Sequence, residues 1–407
     1  MKESLAAPGG TTHAPEAVAA GEPYVPLGKH ALIDALVRRG NLDDSTASQF
    51  RKLCRLTETI LHQEFHQRQE HLKLLYAPFD PDTDSRPVKD SAGPSRGEMA
   101  DEFLNELGNV LTAANYHPLT QKDLNQALSG ATYWGLDLQI DRDIFDRLMI
   151  FVRGDNPALR VRRDLGTWFR RRQVELDVYE RLVLAVKLRE KPGVAEGIDT
   201  DSVYLKAFRE IPRLDVEMLL PGTRPRIRWF DTAKIGGSSI TGIYGLIRMG
   251  ITHLVGFKVT WLMITLGAFS YAWQSFMGYR RTKANYVYSM TQQLYYQNLD
   301  NNAGVFCRVI DEAEEEETKE MILAYFFLWR HADGTWTPDR VGDEVEKLVR
   351  EQTGECCRFQ AREAIAKLER LGLLTADSDK LQAIEPAQAL AQLSERWTNC
   401  VAEEFET

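Results

Sequence analysis

The chain has 407 residues, 43% hydrophobic and 27% charged, enough for more than one core and too apolar for a disordered or collagen-like protein. Its five cysteines (Cys54, Cys307, Cys356, Cys357, Cys400) are odd in number and show no CxxC spacing, which excludes a disulfide framework and points to a reducing compartment. A net charge of -9 disfavours a general nucleic-acid binder. Residues 280–407 hold 15 Lys+Arg against 24 Asp+Glu, so the acidity belongs to the C-terminal third.

Residues 1–22 are rich in Ala, Pro and Gly without a secretory or transit pattern, and read as a disordered leader. The spacing of Phe50, Leu53, Cys54, Ile60, Leu61, Phe65, Leu72 and Leu75 predicts one long helix from Asp44 to Tyr76, stopped by Pro78 and Pro81. A second helix is expected over about Met99–Ala114, and Thr120 offers an N-cap for a third. Between Gly135 and Phe208 short β-rich runs follow, among them RLMIFVRG, LRVRRDL and QVELDVYERLVLAVKLR. Residues 23–235 therefore read as one α+β domain with a mostly antiparallel sheet.

Residues 259–279 carry no charge over 21 positions, and a helix of that length spans roughly 30 Å, the thickness of bilayer hydrocarbon. Trp261, Leu262, Ile264, Leu266, Phe269, Trp273 and Phe276 would meet lipid there. The preceding apolar stretch, 236–257, contains Arg248 and His253, costly inside a membrane. Arg224, Arg226, Arg228 and Lys234 precede the pair, and Arg280, Arg281 and Lys283 follow it. Basic outer flanks predict a membrane-associated helical hairpin over 236–279 with both termini cytoplasmic, in a bacterial inner membrane or, in a eukaryote, an organelle membrane.

Residues 280–407 read as an acidic helical domain. The run Asp311–Glu320 holds seven acids and one lysine, ordinarily a solvated helix face. Thr337-Pro338 is a cap followed by an N1 proline, a further helix ends at Gly372, and Leu373-Leu374 and Leu381–Ile384 read as a strand pair. Helices followed by a hairpin make residues 318–385 winged-helix-like. Arg362, Lys367 and Arg370 beside Glu363 and Glu369 leave no basic reading face, which favours a protein partner over DNA.

The stretches Tyr76–Asp82 (YAPFDPD), Ala114–Thr120 (ANYHPLT), Tyr204–Thr223 and Leu294–Gly304 (LYYQNLDNNAG), with the acid run followed by AYFFL, resemble the transmembrane protein 143-like family, a family of unknown function numbered 3754. The resemblance covers about residues 24–400. It implies a membrane-associated protein with apolar segments in the middle, and brings no established reaction or catalytic residue.

Chemistry-bearing constellations are few. His62, His66 and Glu70 stand at i, i+4, i+8 and offer a metal two imidazoles and a carboxylate, although the pattern is not the HExxH of zincins. Asp80, Asp82 and Asp84 begin like a calcium loop but lack its glycine and closing glutamate. Phosphate-loop, dinucleotide and nucleophile-elbow motifs are missing, and no cofactor is implied. Arg160, Arg162, Arg163, Arg170, Arg171 and Arg172, joined by Arg224, Arg226 and Arg228, offer a basic face to anionic lipid headgroups, unless they point outward from a sheet and pair with Asp155, Asp164 and Glu175. The favoured reading is a membrane-anchored scaffold or regulatory protein, homo-oligomeric, that contacts the bilayer and a protein partner. The alternatives are a membrane-bound enzyme acting on a lipid or phosphorylated small molecule, and a hairpin oligomer forming a conduit lined by Arg248 and His253.

Overall fold

Apolar residues recurring at helical spacing make Asp44–Tyr76 a single 33-residue helix in the computed structural model of the chain. The structure describes residues 24–83, 95–119, 137–139, 142–163, 171–189, 199–221, 224–226, 267, 270, 273, 277, 294–330, 336–375 and 381–406. Helix α1 (Lys29–Arg39) precedes this α2, and α3 (Arg96–Ala113) opens on a capping box in which Ser95 accepts from the Glu98 amide and Glu98 answers the Ser95 amide. Later come α4 (Ala303–Arg330), α5 (Pro338–Thr353), α6 (Ala361–Arg370) and α7 (Pro386–Glu406). The Thr337 side chain caps α5 as its sequence predicts, and Gly354 ends that helix at a φ of +77°. Leu374 and Ala383 form an antiparallel bridge between α6 and α7.

The chain falls into two compact units, residues 1–65 with 313–407, and residues 66–312. In the first, Leu32 and Leu36 of α1, Phe50 and Leu61 of the start of α2, and Val345 and Leu368 of α5 and α6 share one core with the end of α4. Residues 316–329 of α4 are buried without interruption. Phe50 stacks on Trp329 at 5.8 Å and meets Phe326 edge-on at 5.7 Å, geometries that add to the burial of each ring.

The second unit holds a five-stranded antiparallel sheet in the order β1-β3-β4-β5-β7. Its strands are β1 (His117–Pro118), β3 (Phe145–Arg163), β4 (Arg171–Leu188), β5 (Val203–Pro212) and β7 (Asn298–Asn301). Strands β2 (Asp137–Gln139) and β6 (Arg224–Arg226) pair apart from it. β3 and β4 stay paired out to Arg163 and Arg171, whereas β5 accompanies β4 only between Val178 and Lys187. Gly154, at a φ of +71°, stands close to where the two-stranded part begins, a conformation that glycine adopts at no steric cost. A Cβ at this position would lie 2.7 Å from Cγ of Glu180. Gly154→Ala should therefore destabilise the protein by about 1–2 kcal/mol in urea unfolding.

One expectation needs correction. Among the described residues no helix is long and apolar enough to cross a membrane, so the architecture shown is α+β with an antiparallel sheet, and the expected membrane hairpin with its transmembrane helices is not shown among them. A crossing needs about 20 consecutive apolar helical residues. The two longest helices fail that test, since α2 is charged along its length and α4 contains the acid run. Within 236–279 only Gly267, Ser270, Trp273 and Met277 are described, and Trp273 is exposed. Trp261, Leu262, Ile264, Leu266, Phe269, Phe276, Arg248 and His253 lie outside the described residues, as does the helix expected from Thr120.

Candidate functional site

The acid run of α4 is where charge gathers, and it is not a solvated face. Glu316, Glu317, Thr318, Lys319 and Glu320 are all buried. Burying a charge is costly unless it is paired and hydrogen-bonded, and each of these charges has a partner in the first unit. Lys319 Nζ lies 2.6 Å from Glu316 Oε1 and donates to the Val25 carbonyl at 2.9 Å. The Val25 amide donates to the other oxygen of Glu316 at 3.1 Å. Lys367 of α6 reaches Glu317 at 3.5 Å and Glu320 at 3.3 Å. His62 Nδ1 lies 3.0 Å from Glu314.

In the second unit the sheet places two arginines of like charge directly opposite each other, Arg153 on β3 and Arg181 on β4. Like charges in that position repel. Here a carboxylate answers Arg153: Glu312 lies 3.1 Å from its Nη2 and accepts the Tyr116 hydroxyl at 2.7 Å. The Arg153 guanidinium sits 4.8 Å from the centre of the Tyr116 ring and donates to the Ala114 carbonyl at 3.0 Å. Burial pushes the Tyr116 hydroxyl well above its ordinary pKa, so it stays a donor to Glu312 rather than acting as a base.

The sheet that carries this cluster is also what known proteins match. Residues 145–304 match the model of a family described as protein of unknown function (DUF3754). No solved structure matches the chain. The DUF3754 match opens on the first residue of β3 and closes in the first turn of α4, so it contains four of the five strands and both arginines of the opposed pair. Tyr116 and Glu312, which settle that pair, stand outside it. Stretches on which the family resemblance rests also meet in space: the Tyr76 hydroxyl donates to the Val203 carbonyl at 2.8 Å, Asn302 bonds Leu205 through both its backbone amide and its side-chain oxygen, and the Asn302 side chain donates to Asp82.

The residues singled out for metal binding keep other company. His62 faces Glu314, and Glu70 pairs with Lys73 at 2.7 Å. Among the described residues no group of three or more His, Cys, Asp or Glu is placed to hold a metal ion. Arg160, Arg162, Arg163, Arg171 and Arg172 stand at the far end of β3 and β4, while Arg170 and Arg228 lie outside the described residues. Arg224 and Arg226 belong to β6, whose hydrogen bonds go to β2 and not to the large sheet. His117 is exposed on β1 opposite Val152.

Concave space lies elsewhere. One open cleft of about 490 Å³ runs past Arg370, Gly372, Gln392 and Arg396, and another of about 440 Å³ past Asp339, Asp343, Glu346 and Phe359. Neither is lined by a histidine or by Arg153. Burial pushes the thiols of Cys54 and Cys357 up to about 12, which leaves them protonated and poorly nucleophilic near neutrality. Sequence reading missed the set of Tyr116, Arg153 and Glu312 in the second unit and, separately, Lys319 in the first. The available signal was the position of the acid run, between VFCRVI and MILAYFFLW in one helix with apolar residues on every side.

Proposed function

We propose that the protein is a non-enzymatic scaffold or regulatory protein. One observation carries the reading: the charged clusters that the described fold brings together are largely buried and paired among themselves, Lys319 with Glu316 and Arg153 with Tyr116 and Glu312. An enzyme acting on a phosphorylated molecule or lipid calls for a histidine or carboxylate converging with arginines in a concave pocket; these two clefts set carboxylates beside arginines, Glu369 and Glu395 with Arg370 and Arg396 in one and Asp339, Asp343 and Glu346 with Arg362 in the other, and neither is lined by a histidine. Kinship with the transmembrane protein 143-like proteins, within the wider family, belongs to the same proposal and rests on the YAPFDPD and NNAG stretches.

Full-length protein tests this directly. Cross-linking in cells followed by mass spectrometry should recover one reproducible set of stoichiometric partners, unchanged by His62→Ala, His66→Ala and His117→Ala combined. Saturable turnover of a lipid or phosphorylated substrate, abolished by those three substitutions, would sink the proposal.

A further inference from the structure

The opposed pair of Arg153 and Arg181 has a third member. The register sets Arg181 of β4 opposite Arg209 of β5 as well as opposite Arg153 of β3, and residues directly opposite in an antiparallel sheet share a face. Arginines therefore stand in one row across three neighbouring strands, their Cβ atoms about 5 Å apart from strand to strand. The charge of Arg181 acts on the Tyr116 hydroxyl together with that of Arg153, as groups on one face would. Burial falls along the row: Arg153 is buried, Arg181 half-buried and Arg209 exposed. The row opens to solvent at β5.

Compensation is confined to the closed end, where Glu312 meets Arg153. Arg181 donates from Nη1 to the Glu180 carbonyl at 3.3 Å, and Arg209 from Nε to the Tyr296 carbonyl at 3.3 Å. Among the described residues neither arginine forms a salt bridge. Glu180, next to Arg181 in sequence, packs against Gly154 and by alternation belongs to the opposite face. Donors are left over: Arg181 Nε is buried without a hydrogen-bond partner, and the terminal nitrogens of Arg209 are not engaged among the described residues. A donor shut away from water without an acceptor is costly, more so on a charged group. We infer that Arg181 and Arg209 bind a tetrahedral dianion of the phosphate class, inorganic phosphate or a phosphate monoester, at the open end of the row. The row's three cations and one carboxylate leave two positive charges, which a dianion matches and a chloride or single carboxylate does not. Near neutrality a phosphate carries about -1.5 to -2 charges on strong acceptor oxygens, and the guanidinium fork engages two of them at once. The inference goes beyond the scaffold reading and stands without it, because it rests on unpaired charge in the sheet and its test reads binding, not turnover or partners.

The test is isothermal titration calorimetry of the full chain with inorganic phosphate near neutral pH, at an ionic strength held constant with sodium chloride. Binding should saturate at a single phosphate per chain, and phosphate should raise the unfolding temperature where equivalent chloride does not. Arg181→Gln and Arg209→Gln should each weaken binding about 10- to 100-fold, the range expected for hydrogen bonds to a charged group. Arg209→Lys keeps the charge but loses the fork, so its affinity should fall between those of the parent and Arg209→Gln. Arg209 is exposed, so its variants should fold, which circular dichroism checks. A parallel titration with glycerol phosphate separates the two sources: tighter binding than inorganic phosphate assigns the site to a monoester, weaker binding to the free ion. A parent that shows neither saturable heat nor a phosphate-dependent unfolding temperature, or folded glutamine variants that bind phosphate like the parent, would overturn the inference.

Discussion

Replacing Lys319 by Met should destabilise the protein by about 3–5 kcal/mol, the largest effect expected of a single charged residue in the first unit. The Lys319 side chain is 5% exposed and that of Glu316 7%, so the substitution strands a carboxylate with water nearly excluded. Breaking a buried pair costs far more than the intact pair contributes, because the remaining charge has lost its compensation. Here the damage extends to the backbone. Val25 gives its amide hydrogen to Glu316 and receives the Lys319 ammonium at its carbonyl, so the pair holds the chain entering α1. Glu316→Leu added to Lys319→Met removes the stranded charge and should recover part of the loss. What persists is the cost of the two orphaned Val25 groups, about 1–3 kcal/mol each if they stay buried. Urea unfolding gives the totals, and amide exchange at Val25 and Leu27 locates the effect. A single variant within 1 kcal/mol of the parent would show that water already reaches the pair.

That same helix marks where sequence reading succeeded and where it stopped. The span of α2, the capped start of α5 and the β-rich character of 145–188 were all legible, because each depends on local periodicity, a proline or a capping side chain. The acid run read as solvated because its composition resembles a surface, and composition does not reveal whether a lysine from another element or a backbone amide waits beside each carboxylate. Lys367 lies 47 positions from Glu320, and Val25 lies 291 from Glu316. Long-range pairing also explains the units: residues 24–65 share a core with residues beyond 313, whereas linear reading grouped them with the sheet. Periodicity shows which face of a helix is apolar and leaves its partner open. Alternation in LRVRRDL likewise announced a strand but not its register.

Glu312→Ala is expected to match the Lys319 substitution in size, about 3–5 kcal/mol, for a related reason acting in the second unit. The carboxylate answers Arg153, whose side chain is 10% exposed and whose backbone position is fixed opposite Arg181. Removing it withdraws the carboxylate from Arg153 while the Tyr116 ring and the Ala114 carbonyl stay beside its guanidinium. A ring face 4.8 Å away stabilises a cation by about 2 kcal/mol at most when desolvated, which is short of an ionic partner in a buried site. The conservative series apportions the loss. Tyr116→Phe deletes a single donor while Arg153 still satisfies Glu312, and should cost about 1–2 kcal/mol. Glu312→Gln keeps an acceptor for the Tyr116 hydroxyl but withdraws the charge, so it should fall between the other two. If charge rather than shape is what matters, Arg153→Met should restore part of the stability lost in Glu312→Ala, because the double variant no longer buries an unanswered cation. The readout is urea unfolding together with amide exchange along β1 and the adjoining part of β3. Additive losses in the double variant would mean that the two groups do not act on each other, and the electrostatic account of this sheet would then fail.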